Sequence, residues 1–431
     1  MLLTSVRAAI WLHSIEMDPH TIVVTGRCAS AFFATMSVLA ITLIAYLLNG
    51  VMAATLTTVL TGTGILFVYA HDMKEDTALL FGMTWFFLFA IIYERRSYIS
   101  HAMFLGMTAG LAASGKYVGL LSFFLGIWLI VHVKRQDYIS HFTIYFISAL
   151  STFLLINMEM LWAFGKFFEG FTRETSHAAK GHYGAADPVT STLYLRFIAT
   201  YATVAIPFYL YALAFYKNRS GFSERMILFF PLIYVFILQL TPLKGERYAL
   251  PVILIMQLIG AAQLAELLKN RTKFCSLFLS ACAGTWLTLN LLQLYSSYDA
   301  ITNSNRIQLA KWIKEKLPPN ATIAEESIVG LSQDDKKAFR LSQTIVSRPW
   351  ISDFRSLRDM RDAGIDYVAI SDLNEPWFRE VANNSKADKW FLSNAEVYRS
   401  LIDGSSLLFS ANSKGPYVSL FSPGLALYKI R

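Results

Sequence analysis

Charge is what this sequence has least of. Asp, Glu, Lys and Arg make up 16% of its 431 residues, where soluble domains carry roughly 25%. Charge this thin cannot cover the surface of a water-soluble protein of the same length. Cysteine is scarce too: Cys28, Cys275 and Cys282 are the only three, and each lies in or at the edge of an apolar run. That placement excludes a disulfide framework and a cysteine metal knuckle. There is no internal repeat, no low-complexity segment and no basic stripe. The net charge of +8 comes from short scattered clusters, so nucleic acid is not an expected partner. No cleavable signal peptide is expected. Residues 8–12 are too short an apolar core, and no small-residue cleavage site follows.

What the chain does have is hydrophobic length. Apolar runs fall at 28–48, 51–69, 77–93, 102–114, 118–133, 139–162, 197–215, 226–240, 249–268 and 274–294. Most approach the ~20 residues needed to cross ~30 Å of hydrocarbon at 1.5 Å per residue. The expected fold class is an all-α polytopic membrane bundle of about ten transmembrane helices with a small C-terminal α/β soluble domain. The expected division is an outer-face segment 1–27, a transmembrane domain 28–296 and a soluble domain 297–431.

Loop charge gives the expected orientation. Arg95 and Arg96, then Lys134 and Arg135, then Lys217, Arg219 and Arg225, then Lys269, Arg271 and Lys273 fall in alternate loops. Such short basic clusters mark cytoplasmic loops. The other loops, 71–76, 115–117, 163–196 and 243–247, then share the non-cytoplasmic face with everything after 296. In that last part the spacing predicts a helix over 306–316, with Ile307, Leu309, Ala310 and Ile313 on one side. Asn303 or Ser304 would start it and Pro318-Pro319 stop it. Short strands are expected at 321–324, 344–347, 367–371, 407–410 and 426–430, with helices near 354–363 and 395–401.

The candidate chemistry gathers in the outer loops. His71, Asp72, Lys74, Glu75 and Asp76 crowd one short stretch between two apolar runs. A charge at the centre of a membrane helix costs roughly 2.5–3.5 kcal/mol, so this stretch must meet water. It reads either as a solvated hairpin or as an acidic active-site loop. Lys116, beside Tyr117 in a tight turn, either snorkels to lipid phosphate or binds a ligand. His177, Lys180 and His182 lie among small residues, with the histidines five apart, a spacing not specific for a metal. Lys244 and Arg247 could clamp a phosphate, or with Tyr248 merely anchor the membrane edge. Asn157 and Glu159 stand near the outer end of their run, where a carboxylate is costly. Carboxylates, histidines and cations on one membrane face suit a reaction on an anionic lipid headgroup. Cations would hold a phosphate or pyrophosphate and stabilise its departure, and a carboxylate would act as base toward an incoming hydroxyl.

Several of these residues also carry a resemblance. They are Asp76 heading a helix after a tight loop, Gly110-Leu-Ala-Ala-Ser-Gly-Lys-Tyr-Val-Gly119, Gly181-His-Tyr-Gly184 and Arg247-Tyr-Ala-Leu-Pro251. Asp18-Pro19 followed by Gly26-Arg27, and Ala310-Lys-Trp-Ile313 after the last run, fit the same layout. Together they resemble the C-type membrane glycosyltransferase superfamily, in the branch of protein O-mannosyltransferase and aminoarabinose-transferase-like enzymes. The resemblance implies a polyprenyl-phosphate-linked sugar donor and transfer with inversion to a lipid, glycan or protein acceptor, on the periplasmic or luminal side. It implies that Glu75 and Asp76 form the second acidic motif and carry the catalytic role. Lys116, Lys244 and Arg247 would lie near the lipid phosphate, with His71, Tyr117, Lys180 and Tyr248 also against substrate. His177 and His182 would line the substrate loop. Some relatives bind a divalent cation, which leaves a metal open here.

Relatives of that kind begin with one more membrane helix and an outer loop whose acidic residue is the catalytic base. This sequence is expected to start after that point, because Glu16 and Asp18 stand close to the next helix. Two other functions therefore remain in view: a transporter or flippase of lipid-linked glycans, and a non-catalytic assembly subunit. Charges concentrated at one face, with none lining a path through the bilayer, count against transport.

Overall fold

A computed structural model of the chain describes residues 19–71, 74–134, 137–180, 192–216, 221–242, 245–269, 273–331, 341–374, 376, 378–379, 389–413 and 422–430. It divides into two compact units, Met1–Leu294 and Tyr295–Arg431.

The first unit is helical, and each of the ten apolar runs lies mainly in helix. Six helices are long and apolar enough to cross a membrane. They are Pro19–Asn49, Asp76–Arg96, Tyr138–Ile156, Phe222–Leu240, Leu250–Lys269 and Lys273–Thr302. The chain is a multi-pass membrane protein, but among the described residues the number of spans by length is six, or seven counting one bent pair, where about ten were expected. The difference has a physical cause. The helix Ile99–Gly115 has 17 residues and Leu120–Val133 has 14. Two other runs break inside the bundle. Run 51–69 splits into Val51–Gly62 and Leu66–Ala70. Run 197–215 splits into Leu193–Tyr201 and Ala205–Ala214, bent by 104°.

Helix breaks free backbone carbonyls that hydrocarbon cannot satisfy. Buried side-chain amides take them up. Gln257 Nε2 donates to Tyr201 O at 3.0 Å, and Asn290 Nδ2 donates to Leu60 O at 2.6 Å. Replacing Gln257 with Leu removes a buried donor and is expected to cost about 1–2 kcal/mol. Thermal unfolding in detergent checks this: an unchanged midpoint in the variant would contradict it.

The Ile99–Gly115 helix is the spine of the unit. It packs against Asp76–Arg96 on one side and Tyr138–Ile156 on the other. Small residues let the backbones meet, as they do between membrane helices generally. A Cβ at Gly115 would stand 2.5 Å from Leu79 N, and a methyl at Gly106 or Gly110 would strike the backbone of Tyr145 or Ala149. At the far end of the Asp76–Arg96 helix, the Glu94 carboxylate accepts from Ser223 N at 2.8 Å and from Phe222 N. It thereby caps the first turn of Phe222–Leu240, where amides lack helix partners.

The second unit holds a five-stranded sheet in the order β2-β1-β3-β5-β4. The strands are β1 Thr322–Glu326, β2 Thr344–Arg348, β3 Tyr367–Ser371, β4 Ser406–Ala411 and β5 Leu425–Lys429. β1 runs parallel to β2 and β3, while β5 is antiparallel to both β3 and β4. β3 is buried along its whole length, as a central strand covered on both faces should be. The helix Asn305–Lys316 puts Leu309, Ala310 and Ile313 on Ile323, Ala369 and Leu427. Ser304 caps it by accepting from Arg306 N, and it ends at Lys316 ahead of Pro318-Pro319. Helices Leu357–Asp362 and Lys389–Gly404 fill the two other expected stretches.

Candidate functional site

Three helix ends converge at one end of the bundle. Asp76 opens the Asp76–Arg96 helix, and Lys116 follows directly on Ile99–Gly115. Arg247 and Tyr248 sit in the 3-10 turn Glu246–Ala249 that leads into Leu250–Lys269. The close approach of Gly115 to Leu79 brings the first two together. A bulkier residue would hold those backbones apart, and with them Lys116 and Asp76.

The result is a compact cluster of opposite charges. Lys116 Nζ lies 2.7 Å from Asp76 Oδ1 and 3.4 Å from Glu75 Oε1. Arg247 Nε approaches Asp76 Oδ2 from the other side at 3.7 Å. Tyr248 stands between the cations: Lys116 Nζ is 4.2 Å from its ring centre and Arg247 Cζ is 5.4 Å away. Cation–π contact favours both positions. The two carboxylates differ sharply in exposure, Asp76 at 4% and Glu75 at 49%. Burial alone would raise the Glu75 carboxyl. Lys116, and Arg247 beyond it, outweigh burial and hold it below the usual carboxylate range. Glu75 is therefore ionised at neutral pH. A buried acid with cations on both sides is an orienting group, whereas an exposed one can meet a second molecule.

The other expected residues fall around this cluster or away from it. Tyr117 turns its ring edge-on to Phe171, with centroids 5.0 Å apart. Asn157 ends the Tyr138–Ile156 helix and donates to Ser114 Oγ at 3.1 Å, two residues before Lys116. His71 folds back on its own helix, with Nδ1 2.8 Å from Phe67 O and its ring against Phe67. Among the described contacts, none joins it to the charged cluster. His177 and Lys180 belong to the last turns of the helix Phe164–Lys180. Glu159 opens the short helix Glu159–Trp162. Asp72, His182, Lys244, and Glu16 and Asp18 of the first segment lie outside the described residues.

Two features of the site were not read from the sequence. One is Tyr194, whose hydroxyl accepts from Gly245 N at 3.4 Å and steadies the turn that carries Arg247. The other is the Phe164–Lys180 helix itself, which lies within a segment expected to be loop. Its signal was there to find: Phe164, Phe167, Phe168 and Phe171 stand at i, i+3, i+4 and i+7.

Among the described residues, the cluster is not arranged to hold a divalent ion. No group of three or more His, Cys, Asp or Glu side chains among those residues is placed to hold a metal. The two carboxylates of the cluster already face Lys116 and Arg247, whose charges would repel one.

No protein-family model and no curated protein matches the sequence. Solved structures are similar in fold. One is ArnT from Cupriavidus metallidurans bound to undecaprenyl phosphate. It has a TM-score of 0.50 and 13% identity, covering 94% of this chain and 84% of that one. Another is the archaeal oligosaccharyltransferase AglB from Archaeoglobus fulgidus, in complex with an inhibitory peptide and a dolichol-phosphate. It has a TM-score of 0.51 and 11% identity, covering 96% of this chain and 71% of that one. At these identities the likeness is one of fold.

Proposed function

We propose that this chain is a membrane glycosyltransferase. It moves a sugar from a polyprenyl-phosphate donor to a lipid, glycan or protein acceptor on the non-cytoplasmic face, with inversion. The observation that carries this reading is the Asp76–Lys116–Arg247–Tyr248 cluster, in a bundle whose fold is shared with two proteins solved with polyprenyl phosphates.

The chemistry assigns each group a task. Lys116 and Arg247 hold the donor phosphate by charge-assisted hydrogen bonds. The acceptor oxygen attacks C1 of the sugar from the side opposite that phosphate. The bond from C1 to the phosphate oxygen breaks, and its electron pair leaves on the phosphate, where the two cations stabilise it. The acceptor proton passes to a carboxylate. Glu75 is the carboxylate open to an acceptor, and Asp76 keeps both cations aimed.

The test is transfer from an undecaprenyl- or dolichyl-phosphate-linked sugar in proteoliposomes. Arg247→Ala should lower turnover about 100-fold, the scale set by loss of one preorganised charge-stabilising donor. Asp76→Asn should fall comparably, because it leaves both cations without their shared partner. Full activity in both variants would refute the assigned roles.

A further inference from the structure

The helix Phe164–Lys180 has two faces of opposite character. Phe164, Phe167, Phe168 and Phe171 form one stripe, and Lys166, Glu169 and Arg173 lie on the other side. The stripe itself is divided. Phe167 and Phe171 are partly buried, and Phe171 packs on Tyr117. Phe164 and Phe168 stack on each other, centroids 6.1 Å apart, yet remain 57% and 56% exposed.

That bare pair does not stand alone. Leu155, Met158, Leu161 and Trp162 just before it are exposed as well. Leu155 belongs to Tyr138–Ile156, a helix long and apolar enough to cross the membrane. Exposed apolar side chains thus continue along the chain from a membrane span into this helix. The helix also carries Gly165 and Gly170, whose missing side chains leave open space. Glycine weakens an isolated helix, so this one depends on what covers its apolar face.

We propose that Phe164–Lys180 lies in the membrane–water boundary, with Phe164 and Phe168 among the acyl chains and Lys166, Glu169 and Arg173 in water. This is the geometry of an interfacial amphipathic helix. The occupant of the bare face is lipid, because the face continues a surface that lipid already covers. Through Phe171 and Tyr117 the helix then fixes the level of the bilayer surface at the residue next to Lys116. The inference does not depend on what the charged cluster catalyses.

Spin labelling tests it on the full chain in phosphatidylcholine nanodiscs, with Cys28, Cys275 and Cys282 replaced. Labels are placed at Phe168→Cys and Glu169→Cys, adjacent residues on opposite faces. Both side chains are exposed, so neither change disturbs the interior. At 168, collisions with dissolved oxygen should exceed those with a water-soluble nickel chelate; at 169 the order should reverse. The same ordering at both positions, whether wet or dry, overturns the proposal. So does low access to both reagents at 168, which would mean that protein covers the face.

Discussion

Raising the pH from about 5 to about 8 is expected to loosen the C-terminal unit by roughly 3 kcal/mol. The cause is Glu326, fully buried at the end of β1. Its Oε2 accepts from Ser371 N and Ser371 Oγ, each at 2.9 Å, and Tyr398 donates its hydroxyl to Oε1. Burial pushes the carboxyl up from 4.5 to about 7, and these hydrogen bonds offset only part of that rise. The folded pKa therefore lies above the unfolded one. The stabilisation is fully present below about 4.5 and is lost as pH rises through about 7. Tyr398 is itself shifted upward, so it does not titrate in this window. Hydrogen exchange at the β1 and β3 amides should show protection falling with pH, and Glu326→Gln should flatten the response. Equal protection in the wild type at both pH values would contradict the assignment.

Gly115→Val should damage both the fold and the charged cluster. The new Cβ would meet Leu79 N at 2.5 Å and Leu79 Cα at 2.7 Å. Both are backbone atoms of the Asp76–Arg96 helix, so the helices must separate. Overpacking of this kind costs about 1–3 kcal/mol in stability. The larger effect falls on the site, since Lys116 is the very next residue. A displacement of about 1 Å in a reacting geometry can cost 100-fold in rate, and transfer activity is expected to drop by about that factor. Gly284→Ala is the control, because a Cβ there meets nothing within 4 Å. Equal activity in the two variants would mean that Gly115 does not set the Lys116–Asp76 distance.

Local chemistry made much of this fold legible. Ser304 ahead of an amphipathic stretch and Pro318-Pro319 after it bounded the Asn305–Lys316 helix. Runs such as Tyr367-Val-Ala-Ile-Ser371 marked strands that the sheet contains. The two helix breaks were not legible. At the second break only Thr203 interrupts the apolar residues, and the groups that take up the freed carbonyls, Gln257 and Asn290, come from helices far along the chain. The site was legible in kind but not in arrangement. Lys116 and Asp76 are both conspicuous in the sequence, but their pairing across 40 positions rests on Gly115 meeting a backbone. His71 was equally conspicuous, and it turned back onto Phe67.

The 104° elbow has a consequence for how the chain is made. Leu193–Tyr201 has 9 residues and Ala205–Ala214 has 10, about 14–15 Å each at helical rise, half of what a bilayer demands. Neither arm spans alone as it leaves the ribosome. The carbonyls at the bend find Gln257 and Gln293 as donors, and both are synthesised later. This stretch therefore takes its place only after the helices that follow it have arrived, so insertion here cannot proceed strictly in the order of translation.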